Sequence, residues 1–211
     1  MAIGELGHIC IDFISTAGFE TVPNLMGRFR KSYPDVEFSI RNVLTDVQLK
    51  MIGDGLLEVE FLRLPLENRS ENEVTTVHRQ PFVAVVPSWH SLSAKKEIHL
   101  HELKGNPFVM DAREYAPGFH DLLIGILSKA GVVPKVVQTA GEMPTLISLV
   151  DVDVGVSIVP ASAARRIVST VAVCPIRDQL PESEIGLALA RHNTAAAVRR
   201  FFEFACRYLN L

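Results

Sequence analysis

The chain has 211 residues, a formal net charge of −3 and a pI near 6.2. This length allows one or two domains, and the small negative charge argues against a nucleic-acid-binding surface. No apolar run reaches the ~20 residues needed to cross a bilayer, and the start MAIGELGH lacks the regions of a secretion signal. We therefore expect a cytoplasmic protein whose three scattered cysteines, Cys10, Cys174 and Cys206, are reduced.

The first part of the chain predicts a βα unit. The run Ile9–Ile14 is apolar and β-branched, as in a strand buried on both faces of a parallel sheet. Ser15-Thr16-Ala17-Gly18 breaks the run, and apolar residues then recur at helical spacing as far as Phe29. The first N–H groups of a helix lack partners and attract anions. The hydroxyls of Ser15 and Thr16 would therefore lie where ligands bind in such sheets.

A second unit follows, with a strand at 36–43 and a helix opened by Thr45-Asp46-Val47-Gln48, which matches a capping box. Gly53 and Gly55 end this helix, and a third strand at 56–64 contains Glu58, Glu60 and Arg63 among apolar residues. The remaining predicted strands and extended segments are 74–78, 81–86, 108–110, 136–137, 154–159, 171–174 and 185–190. The remaining predicted helices are a turn at 100–103, 119–130 with Gly131 as its stop, 142–150, and a last helix from Thr194.

Two series of βα units predict an α/β fold with two Rossmann-like lobes. Extended segments near 74–80 and 172–177 would join the lobes as two crossover strands. We place one lobe at residues 1–78 with 176–211 and the other at 79–175. A cleft between two domains is a common place for a small ligand, so we expect the ligand there.

Five segments, taken in order, resemble the effector-binding domain of LysR-type transcriptional regulators: GELGHICIDF, VPNLMGRFRKSYPDVEFSI, FLRLP, FVAVVPSWHSLS and LISLVDVDVGVSIVPAS. The resemblance covers nearly the whole chain and is nearest to regulators of aromatic-compound catabolism that respond to benzoate or muconate. It implies a fold like type II periplasmic binding proteins, with an effector between the lobes. It also implies dimers within a tetramer, and promoter DNA bound only through an N-terminal winged helix-turn-helix domain that is absent from this chain.

The resemblance also implies a binding site. Thr16, with Ser15 beside it, and Thr45 match residues that bind the effector carboxylate, and Pro117-Gly118-Phe119 matches a segment that lines the pocket. We add Asn42 and Arg63 to the candidate effector-binding residues, Arg63 as a counter-charge. A carboxylate takes several charge-assisted hydrogen bonds, and an aromatic face such as Phe119 suits a planar, unsaturated ligand.

The sequence departs from the family pattern in two places that bear on the site. Asp151-Val152-Asp153-Val154 stands where the family has small residues and a glycine; aspartate adopts a left-handed conformation less easily than glycine. Leu57-Glu58 replaces the Ile-Asp or Leu-Asp that is usual in the family, and Glu60 stands where a small residue is common. These changes affect the charge and shape of the pocket.

Each candidate residue also has a simpler interpretation. Ser15, Thr16 and Thr45 could be helix caps, and Arg63 could pair with Glu60 or Glu58. Phe119 could be core, although we expect it to be more exposed than Leu123. His99 and His101 fit a solvated loop better than a metal site.

We predict no catalysis, cofactor or metal, because no acid–base pair or nucleophile elbow is evident in the sequence. The alternative function is a solute-binding protein of the same fold for a small anionic ligand.

Overall fold

The computed structural model describes residues 7–53, 58–66, 72–166, 170–190 and 195–209. Gly55, Leu57 and Thr194, to which the sequence assigned roles, lie outside the described residues. The strands are β1 His8–Phe13, β2 Glu37–Asn42, β3 Val59–Leu64, β4 Asn72–Gln80, β5 Phe82–Pro87, β6 Pro107–Asp111, β7 Lys135–Ala140, β8 Ser157–Pro160, β9 Val171–Pro175 and β10 Ser183–Ala190.

The helices are α1 Ser15–Phe19, α2 Thr21–Ser32, α3 Thr45–Gly53, α4 Pro117–Lys129, α5 Met143–Asp151, α6 Ala161–Arg166 and α7 Ala196–Tyr208. Two short 3₁₀ turns span Ser91–Ala94 and Leu100–Leu103. None of the helices in the described ranges combines the length and apolar character that crossing a membrane would require.

The chain divides into two compact units, residues 1–79 with 184–211 (unit 1) and residues 80–183 (unit 2). The second division falls eight residues later than the predicted one at 175/176 because the segment after β9 bonds within unit 2. The N–H of Arg177 donates to the carbonyl of Ile98 at 2.9 Å, and the carboxylate of Asp178 accepts from the N–H of Leu100 at 2.8 Å.

Unit 1 contains a five-stranded sheet in the order β2-β1-β3-β10-β4. β1 pairs in parallel with β2 and β3, while β10 runs antiparallel to β3. Ile9 and Ile11 of β1 belong to the same buried cluster as Phe29 of α2 and Phe201 of α7. The alternate residues His8 and Cys10 are exposed or half-buried, so the expectation that β1 is buried on both faces is only partly correct.

Unit 2 contains a three-stranded sheet and a two-stranded sheet. β5 lies between β8 and β9 and is antiparallel to both, and β6 pairs in parallel with β7. A single bridge between Phe108 and Val156 connects β6 to the residue just before β8. The largest fully buried side chains of this unit include Phe108 and Phe119.

Two short helices differ from the prediction. The residues predicted to break the first unit form α1 instead, because the N–H groups of Ala17 and Gly18 both donate to the carbonyl of Ile14, at 2.9 and 3.3 Å. Helix α6 follows directly on β8 and was not predicted. Its six residues are too few to show a helical period.

Helices α4 and α5 end in the same way. After α4, the N–H of Val132 donates to the carbonyl of Leu127, and Gly131 has a φ of 72°. After α5, the N–H of Val154 donates to the carbonyl of Leu149, and Asp153 has a φ of 66°. Both ends are Schellman motifs, so Asp153 takes the left-handed position that usually holds glycine. Because of this turn, β8 begins at Ser157, three residues after the predicted start at 154.

Gly125 lies inside α4 and Gly131 lies just after its end, and the same substitution should have opposite effects at the two positions. We expect Gly131→Ala to lower the free energy of unfolding by about 1 kcal/mol, because alanine is strained at positive φ. Gly125→Ala should instead raise it by about 0.5 to 1 kcal/mol, because Gly125 is inside the helix and no atom lies within 4 Å of the added Cβ. Urea unfolding of both variants checks the pair, and two changes of the same sign would contradict the assigned helix end.

Candidate functional site

The carboxyl ends of β1, β2 and β3 lie at one edge of the unit 1 sheet. β1 and β2 are in parallel register from His8–Glu37 to Phe13–Asn42. β1 and β3 are in parallel register from Ile11–Val59 to Phe13–Phe61. Helices α1 and α3 begin just after β1 and β2, whereas β3 continues past the end of β1 to Leu64. The topology therefore brings the first turns of two helices beside the extended end of β3.

Arg63 connects the two threonines that the sequence singled out. Its Nη2 donates to Oγ1 of Thr16 at 2.9 Å, and its backbone N–H donates to Oγ1 of Thr45 at 3.1 Å. Thr16 is 1% exposed, and Thr45 and Arg63 are each 5% exposed. We call Thr16, Thr45 and Arg63 the threonine–arginine site. The guanidinium and the backbone N–H of Arg63 join three chain segments at this site. The guanidinium can also bind a carboxylate oxygen, and the two hydroxyls are further hydrogen-bonding groups.

The expected capping box at the start of α3 is wrong. Thr45 Oγ1 accepts from the N–H of Arg63, and the Gln48 side chain donates to the carbonyl of Val43 at 2.6 Å. At α1 the N-cap position is Ile14, so Ser15 and Thr16 lie inside the first turn. The hydroxyls of Thr16 and Thr45 therefore accept hydrogen bonds from Arg63 and do not cap the helices.

The other candidate residues are placed less centrally. Ser15 is half-buried beside Thr16, and Asn42 is exposed at the end of β2. Pro117, Gly118 and Phe119 begin α4 in unit 2. Their contact with an effector stays a prediction.

Phe119 lies in the core of unit 2. It is 1% exposed against 2% for Leu123, so the expected greater exposure of Phe119 is wrong. Its ring packs against the ring of Phe82, with 5.9 Å between centroids. The first helical turn after a Pro-Gly pair can be well covered when a strand of the same unit packs over it.

Glu60 is a charge-bearing residue whose role the sequence did not predict. It is fully buried in β3, and its two carboxyl oxygens have no hydrogen-bond partner among the described residues, which excludes the suggested pair with Arg63. Burial, with a smaller contribution from repulsion by Asp12 and Glu58, raises the pKa of Glu60 to about 9. Glu60 is therefore neutral at pH 7.

Asp12 and Arg41 form an ion pair that the sequence also did not predict. Arg41 Nε and Nη2 donate to the two carboxylate oxygens of Asp12, each at 2.7 Å, and Asp12 is almost fully buried. The register of β1 with β2 and β3 places Arg41 and Glu60 on either side of Asp12. This arrangement depends on which residues of neighbouring strands lie side by side, and that register cannot be read from the sequence.

The histidines singled out in the sequence have structural contacts. His90 Nδ1 accepts from the N–H of Leu92 at the start of a 3₁₀ turn. His99 Nδ1 lies 3.3 Å from Asp178 Oδ1, and the ring of His99 stacks on the ring of His101. Within the described part of the chain, no group of three or more histidine, cysteine or acidic side chains is arranged to hold a metal ion.

Two solved structures of similar fold are effector-binding domains with a bound small molecule. The effector-binding domain of QuiR in complex with shikimate matches with a TM-score of 0.87 and 26% identity, over 97% of each chain. The BenM effector-binding domain with benzoate matches with a TM-score of 0.80 at 20% identity, over 97% of this chain and 92% of that one. The BenM match shows the fold alone.

Two curated relatives are transcriptional regulators of the helix-turn-helix type. The uncharacterised regulator YnfL of Escherichia coli is 32% identical over 200 residues, covering 94% of this chain and 67% of that protein. IlvR of Caulobacter vibrioides is 32% identical over 200 residues, covering 93% and 66%. The chain thus spans about two thirds of the length of these relatives. The model of the LysR substrate binding domain matches residues 3–209, and the chain therefore belongs to this family.

Proposed function

We propose that this domain binds a small carboxylate, aromatic or unsaturated, as the effector of a LysR-type transcriptional regulator. The observation that carries the proposal is the threonine–arginine site at the carboxyl ends of the parallel strands β1, β2 and β3. There the guanidinium of Arg63 donates to the Thr16 hydroxyl, and the backbone N–H of the same residue donates to the Thr45 hydroxyl. A buried cation with few exposed atoms gains most from an anionic ligand, because little water competes for its N–H groups. The function proposed for this site is therefore ligand binding without turnover.

The solved relatives support the class of ligand. Shikimate, bound by QuiR, is an unsaturated carboxylic acid, so this relative at 26% identity binds the class that we propose here. Benzoate and muconate remain candidates from the sequence resemblance. We further propose that the parent regulator binds promoter DNA through a separate N-terminal domain. This proposal is supported by the names of the two curated relatives, which call them transcriptional regulators of the helix-turn-helix type.

Substitution of the two threonines tests the carboxylate assignment. We expect Thr16→Ala and Thr45→Ala each to raise the Kd for the bound acid about tenfold, because each removes a hydrogen-bonding group that acts together with Arg63. Isothermal titration measures the change, and Thr76→Ala, a threonine of β4 that bonds Glu184 instead, is the matched control. Unchanged affinity in both site variants would remove the assignment.

We also propose that the domain self-associates through exposed strands. Ile40 of the edge strand β2 is 52% exposed, and Val136 and Val137 of β7 are 42% and 43% exposed. Exposed apolar residues on edge strands favour pairing with another copy. Sedimentation should show a dimer that Ile40→Lys weakens at least tenfold. A monomer in the wild type would contradict this proposal.

A further inference from the structure

We propose that Gln48 is a positioning residue that holds Thr45 and Arg63 in the geometry of the threonine–arginine site. The inference rests on the carboxylate-binding function proposed above. Gln48 lies on α3 one turn after Thr45, its side chain is 0% exposed, and it contacts neither Thr16 nor Arg63 through any described hydrogen bond.

The side-chain amide of Gln48 lies between the residue after β2 and the middle of β3. Its Nε2 donates to the carbonyl of Val43 at 2.6 Å and points toward the carbonyl of Phe61 at 3.5 Å. Val43 follows the end of β2, and Phe61 lies two residues before Arg63 in β3. The opposite amide orientation would place an oxygen against two carbonyl oxygens, so these contacts fix which atom is the nitrogen.

Backbone hydrogen bonds converge on the same place. The N–H of Gln48 donates to Leu44 at 3.0 Å, the N–H of Val43 donates to Phe13 at 2.9 Å, and the N–H of Ile14 donates to Phe61 at 3.1 Å. The ends of β1, β2 and β3 are thus joined directly around the Gln48 amide. Together, the backbone and side-chain bonds of Gln48 close the turn that contains Thr45.

The consequence is a short path from Gln48 to the ligand-binding groups. Thr45 lies inside the closed turn, and its hydroxyl accepts from Arg63, which in turn donates to Thr16. Without the amide, the carbonyl of Val43 loses its donor and the turn can shift. A displacement of Thr45 would then move the acceptor away from the N–H of Arg63.

A matched pair of variants tests the proposal. Gln48→Met keeps the length of the side chain and removes its hydrogen bonds. Ile52→Ala is the control, because Ile52 lies one turn later on α3, is 2% exposed, and packs in the cluster of Leu62 and Ala188. Both variants disturb the packing of α3, but only the first removes the link to β2 and β3.

Two readouts are measured on each variant. The first needs no ligand: amide hydrogen exchange of Arg63, whose N–H is bonded to Thr45 Oγ1. We expect exchange at Arg63 to become at least tenfold faster in Gln48→Met than in Ile52→Ala. The second is titration with shikimate and benzoate, where we expect Kd to rise about tenfold in Gln48→Met and to change little in Ile52→Ala.

The outcomes separate the proposal from the function on which it rests. Equal exchange at Arg63 in the two variants would overturn the role of Gln48. Faster exchange in Gln48→Met, with no binding of either acid by the wild type, would support the positioning role and remove the carboxylate function. Faster exchange together with weaker binding supports both.

Discussion

Glu60→Gln is expected to raise the free energy of unfolding by about 3 kcal/mol at pH 7. The carboxyl of Glu60 is fully buried without a hydrogen-bond partner among the described residues, and its pKa rises from an ordinary 4.5 to about 9. Each pKa unit corresponds to about 1.4 kcal/mol, so keeping the proton from pH 4.5 to pH 7 costs about 3 kcal/mol. Glutamine does not ionise, so Glu60→Gln removes this cost from the free energy of unfolding.

The sign of the pH dependence follows from proton binding. Between pH 4.5 and about 9 the folded protein holds a proton on Glu60 that the unfolded chain has released. Stability from this group is therefore complete below pH 4.5 and falls by about 1.4 kcal/mol per unit as the pH rises toward 9. The free energy of unfolding of Glu60→Gln should therefore lack this fall with pH.

Urea unfolding at pH 5, 7 and 8.5 measures the difference directly. The gain in stability from Glu60→Gln should be under about 1 kcal/mol at pH 5 and should grow at each higher pH. A constant difference across the three values would show that Glu60 is ionised in the folded protein. A neutral Glu60 also matters for ligand binding, because it lies on the same strand as Arg63 and adds no repulsion toward an anion.

Arg63→Met is expected to raise the Kd for a bound carboxylate by roughly 30- to 150-fold. Hydrogen bonds to charged groups contribute about 2 to 3 kcal/mol, and the substitution removes the guanidinium that donates to Thr16 while it leaves the backbone N–H that donates to Thr45. The substitution keeps the backbone bond to Thr45 and removes the side-chain bond to the neutral hydroxyl of Thr16, so we expect the free energy of unfolding to fall by about 1 to 3 kcal/mol while the domain still folds. Isothermal titration and urea unfolding measure the two quantities separately.

Arg41→Met is the matched control for Arg63→Met. Arg41 is half-exposed and pairs with the buried carboxylate of Asp12, so its removal leaves that carboxylate without its partner guanidinium. Stability should fall by about 2 kcal/mol or more while effector affinity changes little. Equal losses of affinity in both variants would mean that the effect is one of general charge, and Arg63 would lose its assigned role.

The periodicity of the sequence was enough to predict most of the fold. The apolar spacing of α2 and the apolar, β-branched run of β1 follow from elementary burial. The helix end at Gly131 follows from glycine's freedom at positive φ. Helix α1 was missed because Ser-Thr-Ala-Gly has no apolar period. It forms because the carbonyl of Ile14 accepts from the residues that follow it.

The sequence could predict only those parts of the site that lie directly after a strand. Thr16 and Thr45 follow strand ends, so their location at one sheet edge could be inferred. The bonds from Arg63 to both threonines span 47 and 18 residues of sequence, and no local pattern encodes them. The same holds for Glu60, whose neighbour Asp12 is set by strand register, and for Phe119, whose burial depends on Phe82.

Isothermal titration of the domain with shikimate, benzoate and cis,cis-muconate tests the central claim most directly. We expect saturable binding of at least one of these acids, and loss of that binding in Arg63→Met but not in Arg41→Met. At ~100 times its Kd, the bound acid should also stabilise the folded protein by about 2.7 kcal/mol. A folded domain that binds none of the three acids, or that binds one equally well without Arg63, would contradict the proposed carboxylate site.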